Sequence, residues 1–468
     1  MKFKFAWLAA AVAAATFLSA CGGGGDDAPP SQDGQVLSAQ LAGSIDQATF
    51  AASVNAKGLT PLAGAPKCGV DVRYVLYVTK DPLGQPATAS AGVLVPNGTD
   101  PACTGNRPVV LYAHGTTFTH SKNMADLQND SEAGLMAAMF VGQGFIVVAP
   151  NFLGYDKSSL TYHPYLNAES SALDMIDGLR AAKTHLNGAS AVRPSDKLFV
   201  TGYSQGGHVA AATQKVMERD YSAEFTVTAS GPMSGPHNLF KTVSVINSSP
   251  TTCAGTPNPN CTVNAGGTLF TPLLLTSWQK SYGNVYASPS VAYQAPFAAT
   301  AETLFPTDTP ISDLVAAGKL PADPTFTKLF GTGGLINESY RAAFFTDPNN
   351  GFAAAAKKNT LVGGWTPKRP MALCGGAQDP TVFFFNTTDL QADLNSRLPA
   401  QLAVPAFNME DRASLPAGPV GDQLYGGFQQ QKAAAGANAT ALYHGTLVPP
   451  FCTALVRGFF QQVLAAGL

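Results

Sequence analysis

The sequence predicts an α/β fold: a mostly parallel central sheet flanked by helices, with a large insertion late in the chain. Three observations predict it. Continuous apolar runs at 108–113 and 145–149 read as strands buried on both faces. They alternate with segments of helical periodicity, as at 170–186, where Leu173, Ile176, Leu179 and Ala182 share one face. A serine also stands at the apex of a strand, sharp turn and helix, in Gly202-Tyr203-Ser204-Gln205-Gly206.

The amino-terminal segment carries an address. Lys2 and Lys4 precede an apolar stretch at 5–17 that is too short to span a bilayer. Leu18-Ser19-Ala20-Cys21 then resembles a bacterial lipobox. The expectation is a lipoprotein signal peptide at 1–20, lipidation of Cys21, and a flexible tether at 21–45 that opens Gly22-Gly23-Gly24-Gly25-Asp26-Asp27. Glycine rather than aspartate after Cys21 resembles outer-membrane sorting, so the expected location is exported and lipid-anchored, on the periplasmic or surface side. The 468 residues are 45% hydrophobic and 12% charged with net charge −2, which argues against a nucleic-acid partner. No later apolar run is long enough for a transmembrane helix, so membrane attachment is expected through the lipid alone.

The opening strands are expected at 70–78 and 87–95, paired antiparallel across turn residues. The buried strands at 108–113 and 145–149 and the helix at 170–186 follow. The run at 197–201 leads into Ser204, and Gly207-His208-Val209-Ala210 starts its helix. Further strands are expected at 225–229, 370–374 and 403–407. In such sheets the site lies beyond the carboxyl ends of the strands, which is where Ser204 falls.

A serine hydroxyl becomes nucleophilic when a tight turn presents it to a base, beside backbone N–H groups that receive negative charge. Glycines at 202 and 206 remove the Cβ atoms that such a turn would crowd. Three histidines follow Ser204. His208 lies in the helix that leaves the turn and reads as a packing residue, and His237 follows a strand, where it can line the pocket. His444, in an expected loop before the last helix, stands where the order serine, acid, histidine puts the base. Asp379, in Gly375-Gly376-Ala377-Gln378-Asp379-Pro380, is the expected acid that orients it; Asp389 and Asp393 are alternatives that read as helical. The oxyanion donors are expected to be the N–H of Gln205 and that of Thr116, in His114-Gly115-Thr116-Thr117, with Thr117 open as the alternative. His114 reads as a residue that braces this loop.

These segments together resemble an α/β-hydrolase of the secretory lipase or lipase A-like esterase group, in a bacterial lipoprotein form. The resemblance rests on Tyr112-Ala113-His114-Gly115-Thr116, Ala149-Pro150-Asn151-Phe152-Leu153-Gly154-Tyr155, Tyr162-His163-Pro164-Tyr165-Leu166, the turn at Ser204, the loop at Asp379, and Tyr443-His444-Gly445-Thr446-Leu447-Val448-Pro449-Pro450-Phe451-Cys452. It implies the α/β-hydrolase fold and carboxylic ester hydrolysis through an acyl-enzyme, without a cofactor or metal. The substrate would be a small-molecule, lipid or polymeric ester. A serine peptidase, an acyltransferase or a cutinase-like polyester hydrolase would use the same triad. A surface-binding lipoprotein on an inactive scaffold is the non-enzyme alternative.

In this reading 46–237 and 366–468 form the hydrolase core, and 238–365 is a cap or lid. Phe240, Phe270, Leu273, Leu274, Leu275, Trp278, Phe297, Leu304 and Phe305 supply candidates for an acyl pocket, although most are expected to form the cap's own core. Apart from Cys21, six cysteines remain, an even number suited to an oxidising compartment. Proximity pairs Cys253 with Cys261, and Cys68 with Cys103 would tie the opening strands. That leaves Cys374 and Cys452, which come within reach if the acid and base loops lie side by side.

Overall fold

The computed structural model describes residues 32–249 and 262–467. The expected signal peptide, the lipidation site Cys21, the start of the tether and the pair Cys253–Cys261 lie outside them. The described residues build a sheet of nine strands in the order β1-β2-β3-β5-β4-β6-β7-β8-β9. In chain order these are β1 (Val36–Ile45), β2 (Gly69–Lys80), β3 (Pro86–Asn97), β4 (Asn106–Ala113), β5 (Ile146–Pro150), β6 (Arg193–Tyr203), β7 (Val227–Met233), β8 (Leu373–Gly375) and β9 (Ala406–Asn408).

The first strands pair antiparallel as far as β3 with β5; from β5 across to β9 every pairing is parallel. Side chains alternate between faces along each strand. In β4, Val110 and Tyr112 join a core on one face with the helix Val448–Ala465, while Val109 and Leu111 join a second core with the helices Ala168–Ala189 and Gln205–Asp220. Burial on both faces explains the unbroken apolar runs of β4 and β5. The chain reverses its lateral direction at β4, so β4 and β6 are neighbours with loops that diverge at their carboxyl ends.

Three expectations about elements change. The expected tether at 21–45 ends sooner, because Val36–Ile45 pairs with β2 as an edge strand. Most of its side chains are partly or fully exposed, so its pairing comes from backbone hydrogen bonds that hydropathy does not report. The strands expected at 370–374 and 403–407 shorten to three residues each. Pro370 and Pro405 have no N–H to donate, although both carbonyls accept from neighbours, Ser230 N at 3.0 Å and Leu373 N at 2.9 Å. His444 sits in a wide helical turn, Tyr443–Leu447, that runs into the helix Val448–Ala465, rather than in a loop. Pro449 and Pro450 bring no N–H to the carbonyls of the preceding turn, which favours the wider winding.

Between β7 and β8 lies the cap, with the helices Leu239–Asn247, Gly267–Tyr282, Glu338–Thr346 and Gly351–Lys358. It has a core of its own, centred on Trp278, Tyr293, Phe297, Leu304, Phe305 and Phe344. Core and cap belong to one compact unit that begins at Asp33. Two of the expected disulfides are present, Cys68–Cys103 and Cys374–Cys452, and such bridges suit an exported protein.

Candidate active site

Ser204 occupies the turn between β6 and the helix Gln205–Asp220 with φ 60° and ψ −122°. A non-glycine residue at positive φ stores strain, about 1–3 kcal/mol, that its surroundings must hold. Here Ser204 N–H donates to the Met233 carbonyl at 2.9 Å. A Cβ at Gly206 would run into the Ala113 carbonyl, and one at Gly202 into the Gly206 carbonyl, so only glycine permits this approach of helix to strand.

The serine hydroxyl donates to Nε2 of His444 at 2.7 Å, and Nδ1–H of His444 donates to Oδ2 of Asp379 at 2.6 Å. The Asp379 side chain is 1% exposed and that of His444 13%, so the pair is shielded while the imidazole still borders the cleft. The other carboxylate oxygen, Oδ1, accepts from Thr381 N–H at 2.8 Å and Val382 N–H at 3.0 Å. Ser204, His444 and Asp379 are thus brought together in one hydrogen-bonded chain. Asp389 and Asp393 are engaged elsewhere, with Lys241 at 2.8 Å and Arg397 at 2.5 Å.

Other groups hold His444 and Asp379 in register. The Tyr203 hydroxyl donates to the His444 carbonyl at 2.6 Å. The Tyr443 hydroxyl donates to Glu410 at 2.7 Å and lies so close over Gly376 that a Cβ there would meet it. Lys432 bridges Glu410 at 2.6 Å and the Gln378 side-chain oxygen at 2.8 Å. Cys374 and Cys452 lock the same two segments.

At the end of β4, Gly115 N–H is already committed to Glu132 Oε1 at 2.8 Å, and Tyr112 donates to the same oxygen at 2.7 Å. Burial alone would raise the Glu132 pKa; Lys122, first among the groups that oppose it, holds it below the usual range. Thr116 and Gln205 both border Ser204, and neither N–H has a hydrogen-bond partner among the described residues. The Thr117 carbonyl is held by Tyr155 at 2.7 Å, and Thr117 lines neither cavity beside Ser204.

The Gln205 side-chain amide donates to Nε2 of His163 at 2.5 Å, and His163 Nδ1–H donates to the Leu153 carbonyl at 2.8 Å. Burial lowers the His163 pKa to about 3, so the ring is neutral and keeps Nε2 as an acceptor. Tyr165 places its hydroxyl 3.0 Å from Thr116 Oγ1. The sequence reading missed the roles of Glu132, His163, Tyr165, Tyr203 and Tyr443. His163 and Tyr165 stand in a motif it singled out, but nothing local points to their partners.

His114, His208 and His237 are structural. His114 has its ring nitrogens 2.7 Å from the Gly115 carbonyl and 3.1 Å from that of Asn151, bracing the loop as expected. His208 packs against the Asn359 carbonyl at 2.9 Å, and burial lowers its pKa to about 4. His237 is buried and lines neither cavity beside Ser204, contrary to the expectation that it can line the pocket. Of the cap residues proposed for an acyl pocket, Phe270 and Leu274 face a cavity at Ser204; Leu273, Trp278, Phe297, Leu304 and Phe305 are buried in the cap core. Among the described residues no group of three or more His, Cys, Asp or Glu is placed to hold a metal ion.

Neither a protein-family model nor a curated protein sequence matches the chain. Solved structures do. A ligand-bound form of the rice cell wall degrading esterase LipA from Xanthomonas oryzae superposes with a TM-score of 0.75 at 28% identity, covering 93% of this chain and all of that one, 100%. The chain is a carboxylesterase/lipase-type hydrolase. A protein from Legionella pneumophila, at 19% identity and TM-score 0.69, covers 92% of this chain and 98% of its own. Candida antarctica lipase A in its closed state, at 14% identity and TM-score 0.53, covers 80% of this chain and 76% of its own. At these lower identities the likeness shows the shared fold, a mostly parallel sheet with flanking helices.

Proposed function

We propose that this hydrolase cleaves carboxylic esters through a covalent acyl-enzyme on Ser204. His444 takes the hydroxyl proton as Oγ attacks the ester carbonyl, and Asp379 stabilises the imidazolium and fixes its tautomer. The N–H groups of Gln205 and Thr116 receive the oxyanion. His444 then gives its proton to the departing alcohol, and a water activated by the same imidazole releases the acid. The observation that carries this reading is the unbroken hydrogen-bonded chain from Ser204 Oγ through His444 to Asp379, at 2.7 and 2.6 Å. Donors left free at Thr116 and Gln205 support the oxyanion assignment, because Gly115 N–H is already used.

The amino-terminal pattern supports an exported form anchored through lipid on Cys21 and held at the outer membrane. Reaction with a fluorophosphonate probe, followed by peptide mapping, tests the nucleophile. The adduct is expected on Ser204 and absent from Ser204→Ala; an adduct on another serine overturns the assignment.

A further inference from the structure

Two cavities meet at Ser204, and they differ in size and lining. The larger, about 580 Å³, is bordered by His444, Gly445, Thr446, Pro449 and Pro450. The smaller, about 80 Å³, lies between the cap helices Leu239–Asn247 and Gly267–Tyr282 and is bordered by Leu239, Val243, Ile246, Leu274 and Val382. Thr116, Ser204 and Phe270 border both. His444 borders only the larger one.

We propose that Phe270 divides the site into a short acyl pocket and a wide alcohol cleft, so that the substrates are esters of acyl groups of about four carbons or fewer on bulky alcohols. The proposal rests on the triad reading above. In that mechanism the departing oxygen must receive its proton from His444 Nε2, so the alcohol lies on the His444 side, in the large cleft. The acyl chain takes the other direction, past Gln205 and Thr116 into the apolar pocket. An apolar cavity of about 150 Å³ accommodates benzene, so roughly half that volume takes about three or four carbons.

The divider is held in place. Phe270 is a partly buried residue of the cap helix, with its ring 5.7 Å from that of Phe118, which in turn packs 4.9 Å from Phe305. Gly266, at φ 84°, lies directly under the ring; a Cβ there would meet the Phe270 ring carbons at 2.7 and 2.9 Å. The missing side chain at Gly266 therefore lets the ring settle against the backbone, and Phe118 blocks its other face.

The test is kcat/KM on nitrophenyl acetate, butyrate and octanoate, with the alcohol constant. The wild-type enzyme is expected to prefer butyrate over octanoate by more than tenfold. Phe270→Ala joins the two cavities and should reduce that preference at least tenfold. Leu274→Phe fills the small pocket and should lower the butyrate-to-acetate ratio, which keeps the idea testable if the alanine variant does not fold. Butyrates of methanol and of a bulky bicyclic alcohol test the other arm, with the bulky ester expected within tenfold of the small one. Octanoate turned over as well as butyrate, ratios unmoved by either variant, or a bulky ester disfavoured more than a hundredfold overturns the proposal. Fluorophosphonate labelling of Ser204 is run beside it. A labelled Ser204 with unmoved ratios rejects the divider alone, whereas label elsewhere rejects the triad.

Discussion

Cys374 and Cys452 join the strand that leads to Asp379 to the helix that follows His444, their Cα atoms 5.6 Å apart. Both are fully buried, and the bridge closes a sequence separation of 78 residues. It lies at the root of the Asp379 loop and one turn beyond the wide turn that carries His444. Its place suggests that it does more than stabilise.

Replacing both cysteines, Cys374→Ala with Cys452→Ala, is expected to cost about 2–5 kcal/mol of stability. Activity per folded molecule should fall as well, because the segments that carry Asp379 and His444 lose their covalent link. Thermal melts and active-site titration with a fluorophosphonate separate the two effects. Unchanged kcat in the folded fraction would leave the bridge a purely structural role.

Ser204→Ala is expected to leave the fold intact and remove esterase activity by roughly 10⁶-fold, as for other triad nucleophiles. Asp379→Asn should retain part of the rate, since the serine, the base and the oxyanion donors remain while the imidazole tautomer is wrong, with a loss of about 10⁴. Equal residual rates in the two variants would argue that Asp379 does not orient His444.

On the proposed oxyanion assignment, His163, which holds the Gln205 side chain, acts through Gln205 as a positioning residue. His163→Ala removes the acceptor for the Gln205 amide and should lower kcat about tenfold or more with little change in KM, because an oxyanion contact strengthens only in the transition state. His163→Gln offers an oxygen acceptor and should recover part of the rate. Loss confined to KM, or no difference between the two variants, would contradict this role.

Asp174 and Asp177 give a pH dependence of stability. Burial raises Asp174 to about 7 and Asp177 to about 6, although Tyr77 donates to Asp174 at 2.7 Å and Thr79 to Asp177 at 2.7 Å. A carboxyl with a raised folded-state pKa contributes stability below its unfolded value, near 3.8, that is lost as pH rises through the folded value. Relative to Asp174→Asn, the wild-type protein should therefore lose stability steadily between about pH 4 and pH 7, by at most on the order of 4 kcal/mol. Melting curves of both proteins across this range measure it. A difference that stays constant with pH would show that Asp174 is charged throughout.

Much of the site was legible because its signals are local. The glycines at 202 and 206 announce a turn that only they permit, and the apolar runs of β4, β5 and β6 announce strands buried on both faces. Chain order selected Asp379 and His444, the opening strands suggested Cys68–Cys103, and elimination left Cys374–Cys452. The strand Val36–Ile45 escaped notice because backbone pairing leaves no hydropathy pattern. The helical winding at His444 escaped because it spans only Tyr443–Leu447, too short a stretch to show a periodic pattern.

The sequence by itself therefore determined the fold class, the sharp turn at Ser204 and the identities of the candidate nucleophile, base and acid. Tertiary structure alone decided what surrounds them. Glu132 reaches Gly115, His163 reaches Gln205, Tyr203 reaches the His444 carbonyl and Phe270 reaches Phe118 only because the sheet order and the cap bring distant segments together. Such contacts span from 17 to 241 positions along the chain, far beyond the few residues over which turn chemistry and periodicity act.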